Sequence, residues 1–411
     1  MLIAGEASGD TLGAELVSAL REELTRAEID YTTDWQPLHT GLEPQFFGAG
    51  GPRMKAAGVK LAFDLTEYAI TGIPTPKEYI QSRQRFRHLL QLAFERQPDV
   101  IIGIDYNYFN LRFAEAVRNY VNRRSGWFQD WHPKLVKYIS PQVWASREGR
   151  VHEIARDFDL LVSLFPFEKA WYAARVPKFR VEFVGHPMLD RIAGMGSNHR
   201  NVASQPTILL LPGSRKSELR RHLPVMLSAL RLIREKLPQA KARMVAPNEA
   251  LADMAKSLGV DCEIQVRDLP QALAEADVAI ASTGTVTMEC ALFGLPTVTL
   301  YKKLLLGVGL SIGIIKSKWF TMPNIIAKEE LYPEFLQGAA TPANIAGATL
   351  ELLQNQSRRD EIKDKLAKII STLGGPGASR RAAQAITQLL EPGNRNREVN
   401  QLRYEALATI H

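Results

Sequence analysis

Residues 278–301, VAIASTGTVTMECALFGLPTVTLY, offer one short helix as a site for an anion and a diol. The apolar run Val278–Ala281 is expected to be a buried parallel strand. Ser282, Thr283, Gly284 and Thr285 then form a small-residue turn, and a helix runs to about Phe293. Gly294 is placed to end that helix and Pro296 to prevent its continuation. A helix opening on Ser, Thr and Gly presents backbone N–H groups with no bulky side chain in the way, which suits an anion. Glu289 follows Thr285 by one turn, so its carboxylate points back toward whatever carries the anion. Phosphate together with a diol-binding carboxylate suggests a nucleotide sugar. An ordinary capped helix in an α/β domain is the plainer alternative.

Four further segments carry residues of the same kind. Gly5-Glu6-Ala7-Ser8-Gly9-Asp10 is a strand–turn–helix junction in which Ser8 or Asp10 can cap the helix. There Gly9 permits close backbone approach and Glu6 faces a cleft. Asp105 directly follows the apolar strand VIIGI, where a general base would sit, although a turn or N-cap aspartate would look the same. Asn110 and the aromatics Tyr106, Tyr108 and Phe109 crowd its loop. Pro212-Gly213-Ser214-Arg215 ends another strand, and a guanidinium beside a glycine turn can neutralise a diphosphate. Met322-Pro323-Asn324 can present one amide to the cleft. No GxxxxGK[ST] loop is present, and Gly48-Ala49-Gly50-Gly51 lacks dinucleotide-loop spacing. Asp157-Phe158-Asp159 precedes its strand and reads as a turn, not a metal pair. Neither a metal nor a cofactor is expected.

The elements that position these residues alternate throughout, which predicts parallel sheets with crossover helices. Strands are expected at Leu2–Gly5, Val100–Ile104, Val136–Ile139, Leu160–Leu164, Phe183–Gly185, Thr207–Leu211, Ala242–Val245 and Glu263–Val266. Helices are expected near Thr11–Leu24, Leu111–Asn122, Arg221–Lys236 and Ala250–Leu258, with helical polar sequence over Ala343–Leu390. The Gly/Ser/Asn-rich stretch 194–206 reads as a linker. It separates an N-terminal domain, 1–193, from a C-terminal domain, 207–365. A helical segment, 366–411, is expected to pack back on the first domain or on a partner subunit. Two doubly wound Rossmann-like domains of this kind place a ligand in the cleft between them.

At 411 residues the chain can hold two full cores, and a charged content of 23% is that of a globular protein. Cys262 and Cys290 form no disulfide framework, which suggests a reducing compartment. The net charge of +7 favours an acidic partner. Nucleic acid is set aside because no RNA-binding signature or base-reading basic helix occurs. A secretory leader is not expected. Leu304–Ile315 falls short of the roughly 20 residues a bilayer span needs. Followed by Lys316, Lys318, Trp319 and Phe320, it suits either a membrane interface or a buried core helix.

In their order, these motifs resemble those of the lipid-A-disaccharide synthases, inverting glycosyltransferases of GT-B architecture (glycosyltransferase family 19). The resemblance rests on GEASGD at 5–10, GAGGPRM at 48–54, PDVIIGID at 98–105 and YISPQVWASREGR at 138–150. It continues with FPFEKAWY at 165–172, FVGHPM at 183–188, LLPGSRKSEL at 210–219, TGTVTMECALFGLP at 283–296 and MPNIIA at 322–327.

The resemblance implies transfer of 2,3-diacylglucosamine from UDP-2,3-diacylglucosamine to the 6-hydroxyl of 2,3-diacylglucosamine 1-phosphate (lipid X). The products would be a β-1,6 disaccharide and UDP. It also implies that Asp105 is the general base and that Arg215 lies near the phosphates. Gly213, Ser214 and the turn Ser282 to Thr285 would hold the diphosphate and Glu289 the ribose. Glu6, Ser8, Gly9, Asn110 and Asn324 would serve the sugars or phosphates. A cytoplasmic enzyme held peripherally on the inner membrane follows, with Lys77, Arg83, Arg85 and Arg87 meeting anionic lipid. A homodimer exchanging the tail Arg395–His411 is a further implied partner.

The usual GIDAPDFN reads GIDYNYFN here, WAW before an arginine reads Trp144-Ala145-Ser146, and the MGxxEVL region is altered over Ile70–Glu78. Extra residues lie around Ile29–Pro44 and Asn122–Pro133. These departures fall on the acceptor side, which keeps two alternatives open. One is a UDP-sugar transferase or epimerase with another acceptor, the other a non-catalytic paralogue.

Overall fold

A computed structural model describes residues 1–30, 43–68, 76–124, 131–145, 147–193, 205–302 and 318–390; the side chains of 27–30, 76, 77 and 193 are not described. Several expectations therefore lie wholly or largely outside the described residues. They concern the linker, the Leu304–Ile315 run, the tail beyond 390 and much of the altered and inserted segments.

Contacts group Met1–Pro187 with Gly375–His411 as one unit and Met188–Gly374 as a second. The first contains a seven-stranded, all-parallel sheet in the order β3-β2-β1-β4-β5-β6-β7. Its strands are β1 (Leu2–Ala4), β2 (Phe47–Gly50), β3 (Lys60–Asp64), β4 (Val100–Ile104), β5 (Lys134–Tyr138), β6 (Leu160–Ser163) and β7 (Arg180–Phe183). Both faces are covered, as a parallel sheet requires, and the apolar runs show why. Ile3, Ile101, Leu135 and Leu161 enter one core, while Leu2, Ile102, Ile104, Val136, Leu160 and Val162 enter the other. Helix α1 (Ala7–Asp30) lies on the second face together with a helix late in the chain, Ala378–Thr387. Ala382, Ala383 and Ile386 of that late helix join the core, and Arg381 Nε donates to the Val184 carbonyl at 2.7 Å.

The second unit has a six-stranded parallel sheet in the order β10-β9-β8-β11-β12-β13. It is built from β8 (Thr207–Leu211), β9 (Lys241–Ala246), β10 (Glu263–Val266), β11 (Val278–Ser282), β12 (Thr297–Tyr301) and β13 (Glu334–Leu336). Each sheet reverses its strand order beside its first strand, between β1 and β4 and again between β8 and β11.

Helices begin earlier than periodicity suggests. α1 starts at Ala7 instead of near Thr11, and the helix after β4 starts at Asn107 instead of Leu111. The helix after β8 starts at Lys216 instead of Arg221. In each case turn residues form the first helical turn; most are polar or small, and Phe109 is the buried exception. Capping of α1 also differs from expectation. Asp10 lies inside α1, and its carboxylate accepts the backbone N–H groups of Gly51 (2.7 Å), Arg53 (2.9 Å) and Met54 (3.0 Å). It thereby caps the short helix α2 (Pro52–Ala56) from another element, and a Cβ at Gly51 would lie 2.7 Å from Asp10 Oδ2. Ser8 is exposed and caps nothing among the described contacts.

Glu168 is a buried acid that accepts from Trp144 Nε1 at 3.0 Å and from the Ser163 hydroxyl. Burial pushes its carboxyl up to about 7, against the opposing pull of those hydrogen bonds. The folded form therefore holds this proton more tightly than the unfolded chain. The resulting stability is present in full below pH 4.5 and is lost as pH rises through 7, a change of about 3 kcal/mol. Between pH 5 and pH 8 the wild-type melting temperature should fall more steeply than that of Glu168→Gln; parallel profiles in a thermal-melt series would refute this.

Candidate active site

At the first reversal the β1 and β4 ends are paired, Ala4 beside Ile104, so the turns at 5–6 and 105–106 emerge next to each other. Ligand crevices form at such a point because the crossovers leave it in opposite directions. Glu6 and Asp105 are half-buried there, and a Cβ at Gly9 would sit 3.7 Å from Asp105 Cβ. Asp105 has φ 44° and Tyr106 φ 40°, two successive non-glycine residues in the left-handed region. Such backbone persists only where its surroundings over-determine it. Here the Asp105 N–H donates to the Tyr138 carbonyl at 3.0 Å, and its carbonyl accepts from Lys137 Nζ at 2.6 Å and Asn110 Nδ2 at 2.9 Å. Among the described residues no hydrogen bond reaches the Asp105 carboxylate.

Lys137 was not among the expected site residues. It is fully buried in β5, where a lone lysine within the run LVKY was the available signal. Burial lowers its pKa to about 8, while the Asp105 charge opposes that shift. Asn110 is buried, and its Nδ2 also lies 3.2 Å from the Ile104 carbonyl. Its amide nitrogen thus serves the backbone. Its Oδ1, with that of Asn107, is a buried acceptor without a partner among the described residues. A hydroxyl would satisfy either one.

At the second reversal Leu211 pairs with Ala281, so Pro212–Arg215 and Ser282–Thr285 leave the sheet side by side. Helix Thr285–Leu292 ends with the Gly294 N–H donating to the Ala291 carbonyl and the Leu295 N–H to the Cys290 carbonyl, each at 2.9 Å. Gly294 has φ +62°, completing a left-handed C-terminal cap as its sequence position suggests. The turn itself is anchored by the Thr283 N–H to the Leu300 carbonyl at 3.0 Å and by Thr287 Oγ1 to the Gly284 carbonyl at 2.7 Å. Ser282 is buried, whereas Gly284 and Thr285 are exposed, with open space where a Gly284 Cβ would be. Glu289 is half-buried; burial raises its carboxyl pKa and the Arg191 charge opposes that rise.

The Pro212–Arg215 turn is filled from within. Glu218 Oε2 accepts the Ser214 N–H at 3.0 Å, and Glu218 Oε1 lies 3.5 Å from Arg215 Nη1. Gly213 has φ +124°, and a Cβ there would meet Glu218 Oε2 at 2.4 Å. His222, fully buried, accepts the Lys302 N–H at Nε2 (3.1 Å), so Nδ1 carries the proton it donates to the Pro212 carbonyl (2.8 Å). Burial lowers its pKa, in keeping with a neutral ring.

Asn324 does not present its amide outward, contrary to expectation. It is fully buried: Oδ1 accepts the Leu331 and Tyr332 N–H groups, and Nδ2 donates to the Tyr332 carbonyl and Glu334 Oε1. Glu334 also accepts the Phe320 and Thr321 N–H groups, so the pair organises the start of helix Met322–Ala327. A single amide in MPN could not reveal this, because its partners lie at 331–334.

A family model described as lipid-A-disaccharide synthetase matches residues 1–389. The lipid-A-disaccharide synthase of Trichlorobacter lovleyi is 34% identical over 403 residues, covering 95% of this chain and 97% of its own. That of Syntrophus aciditrophicus is 33% identical over 411 residues, with the same coverage. Among solved structures, UDP-GlcNAc 2-epimerase from Neisseria meningitidis bound to UDP-GlcNAc aligns with a TM-score of 0.57 at 11% identity, covering 91% of this chain and 96% of that one. The likeness is one of fold, two parallel-sheet α/β domains of the GT-B type expected from the sequence.

Gly213→Ala combines an unfavourable φ with a carboxylate clash and should destabilise the protein by about 2–4 kcal/mol. In the double variant with Glu218→Ala the clash disappears, so the two losses should sum to more than the double variant's own loss. Strict additivity in urea unfolding would show that the Gly213–Glu218 contact is unimportant.

Proposed function

The chain belongs to the lipid-A-disaccharide synthase family and is a glycosyltransferase of lipid A biosynthesis, and on that premise we propose its substrates, its stereochemistry and the residues that act. The donor is UDP-2,3-diacylglucosamine and the acceptor is lipid X, joined through the acceptor 6-hydroxyl with inversion at the donor's anomeric carbon. The observation that carries this assignment is the carboxylate of Asp105, held at the β1/β4 reversal by a backbone clamped at both N–H and C=O.

In the proposed reaction Asp105 takes the proton of the 6-hydroxyl as its oxygen attacks the anomeric carbon from the face opposite the diphosphate. The bond from that carbon to the phosphate oxygen breaks, and its electron pair leaves with UDP. The developing charge on UDP would be met by the N–H groups opening helix Thr285–Leu292 and by the Arg215 guanidinium. The open surface at Gly284 supports the first of these roles. Glu218 holds the Ser214 N–H and lies beside Arg215, so it would set the height of that guanidinium. Glu289 would take the ribose diol; the buried fraction of its carboxyl favours a polar partner there. Glu6 and the Asn110 carbonyl oxygen would serve the acceptor, and Asn324 positions its helix from behind.

Replacing Asp105 by Asn keeps size and backbone but removes the base. Product formation, followed by mass spectrometry with both lipid substrates, should fall at least about 100-fold. UDP binding by calorimetry should stay within about twofold. Undiminished turnover in Asp105→Asn would overturn the base assignment, and a product other than the disaccharide 1-phosphate would overturn the substrate assignment. Chelation with EDTA should leave the rate unchanged.

Peripheral membrane binding is the second part of the proposal. Among the described residues no helix is long and apolar enough to cross a membrane. Helix α3 (Pro76–Arg96) exposes Tyr79 (53%) and Ile80 (56%) one turn before exposed Arg83 and two turns before exposed Arg87, an arrangement suited to an anionic interface. Lys77→Glu, Arg83→Glu and Arg87→Glu together should lower partitioning onto phosphatidylglycerol vesicles at least tenfold, on the order of 1 kcal/mol per basic residue. Turnover of a detergent-dispersed short-chain substrate should fall far less. Equal loss of both would exclude the membrane role.

A further inference from the structure

Arg85 shares helix α3 with Arg83 and Arg87 but is not placed like them. It is half-buried, and its guanidinium lies over the Tyr68 ring with Cζ 3.4 Å from the centroid. Stacking desolvates one face of the cation and leaves its edge donors available. Among the described residues Arg85 has no ion pair and no hydrogen bond. An electrostatic interaction ties it instead to Tyr106, whose hydroxyl also lies in the field of Glu6.

Tyr106 is seated with unusual closeness. A Cβ on Gly5 would fall 2.4 Å from Tyr106 Cγ and Cδ1, so the ring lies against the bare backbone of Gly5. Its other packing partner is Phe109, stacked at 5.4 Å. The residue stands immediately after Asp105 in the same left-handed bend. Its hydroxyl, like the Arg85 guanidinium, makes no hydrogen bond to any described residue. Two donors, one of them cationic, therefore stand beside the acid of the β1/β4 reversal, and neither makes a hydrogen bond among the described residues. An acylated surface lipid would not need them. A phosphomonoester carries two negative charges and acceptor oxygens that match a guanidinium fork.

We propose that Arg85 and Tyr106 form the acceptor-reading pair, binding the phosphomonoester of the acceptor amino sugar while Asp105 faces the 6-hydroxyl of the same sugar. Gly5 is the residue that makes room for the pair. The assignment rests on the proposed function, and it separates Arg85 from the membrane-facing arginines of its own helix. It also explains why a tyrosine is accommodated at 106, where the usual motif has alanine: the added phenol contributes a donor to an anion site.

The test compares two acceptors, the 2,3-diacylglucosamine 1-phosphate and the same sugar lacking its phosphate, with UDP-2,3-diacylglucosamine as donor and the full chain in detergent. Wild type should prefer the phosphorylated acceptor in kcat/KM. In Arg85→Gln that preference ratio should fall at least about tenfold, chiefly through KM for the phosphorylated acceptor. Arg85→Lys should recover part of it, and Tyr106→Phe should lose a smaller part. Thermal melts identify any variant that has failed to fold, and the lysine variant, which keeps the charge, then decides. An unchanged ratio in Arg85→Gln, or an equal loss on both acceptors, would overturn the pair while leaving the proposed function intact. No disaccharide from wild type with either acceptor would overturn the proposed function, and the pair with it.

Discussion

A parallel strand returns to its own sheet almost always by a right-handed crossover, and this constraint fixes where chemistry can be placed in each unit. Crossovers that run one way along the sheet and then the other must part company at a single pair of strands. The turns that follow those strands emerge adjacent to one another with no helix laid across them. In the first unit these are the turns after β1 and β4, and in the second the turns after β8 and β11. Every residue to which we assign direct contact with a reacting group belongs to one of these four turns or to the helix it opens. The acceptor-reading Arg85 joins them from the helix before β4.

The two units stabilise their turns differently. In the first, unfavourable backbone is held by side chains from a neighbouring strand and a helix: Lys137 of β5 and Asn110 of the following helix converge on the Asp105 carbonyl. The buried lysine loses solvation and regains it only partly from a carbonyl and a nearby carboxylate. In the second unit, the turn after β8 is held by Glu218 and by His222, whose neutral ring joins it to the end of β12. The turn after β11 needs only threonines and leaves its glycine open. An anion arriving there replaces water, not protein, whereas one approaching Ser214 must contend with a resident carboxylate. That difference favours the β11 turn as the principal diphosphate cradle, with Arg215 contributing charge from beside it.

Membership of the lipid-A-disaccharide synthase family and the structure contribute distinct things. Family membership says which disaccharide is formed. The structure separates residues whose polar groups are left open from residues that hold others in place. Asn324 and Asp10 belong to the second class despite lying in motifs that look like binding loops, since each satisfies backbone groups of another segment. Arg85 moves in the opposite direction, from one member of a basic stripe to a stacked, half-buried cation beside the site.

Much of this was legible in the chain itself. Apolar runs located β4 and β8 to the residue, because a strand buried on both faces admits almost nothing else. Gly294 and Pro296 marked the end of the β11 helix, because only a left-handed cap fits there. Asp105, Arg215 and the 282–285 turn could be named because strand ends followed by small or charged residues are local patterns. Strands β2, β3 and β13 were not anticipated: they are short, and the first contains two glycines, so no period emerges. Helix starts were missed because first turns need caps, not apolar stripes. The roles of Lys137, Asn324, Glu334 and Tyr106 depend on partners brought together only by the fold. Sequence determined which chemical groups stand at strand ends, since that depends on near neighbours. Tertiary structure alone decided which groups are already engaged, since hydrogen-bond capacity is used up across the fold and not along the chain.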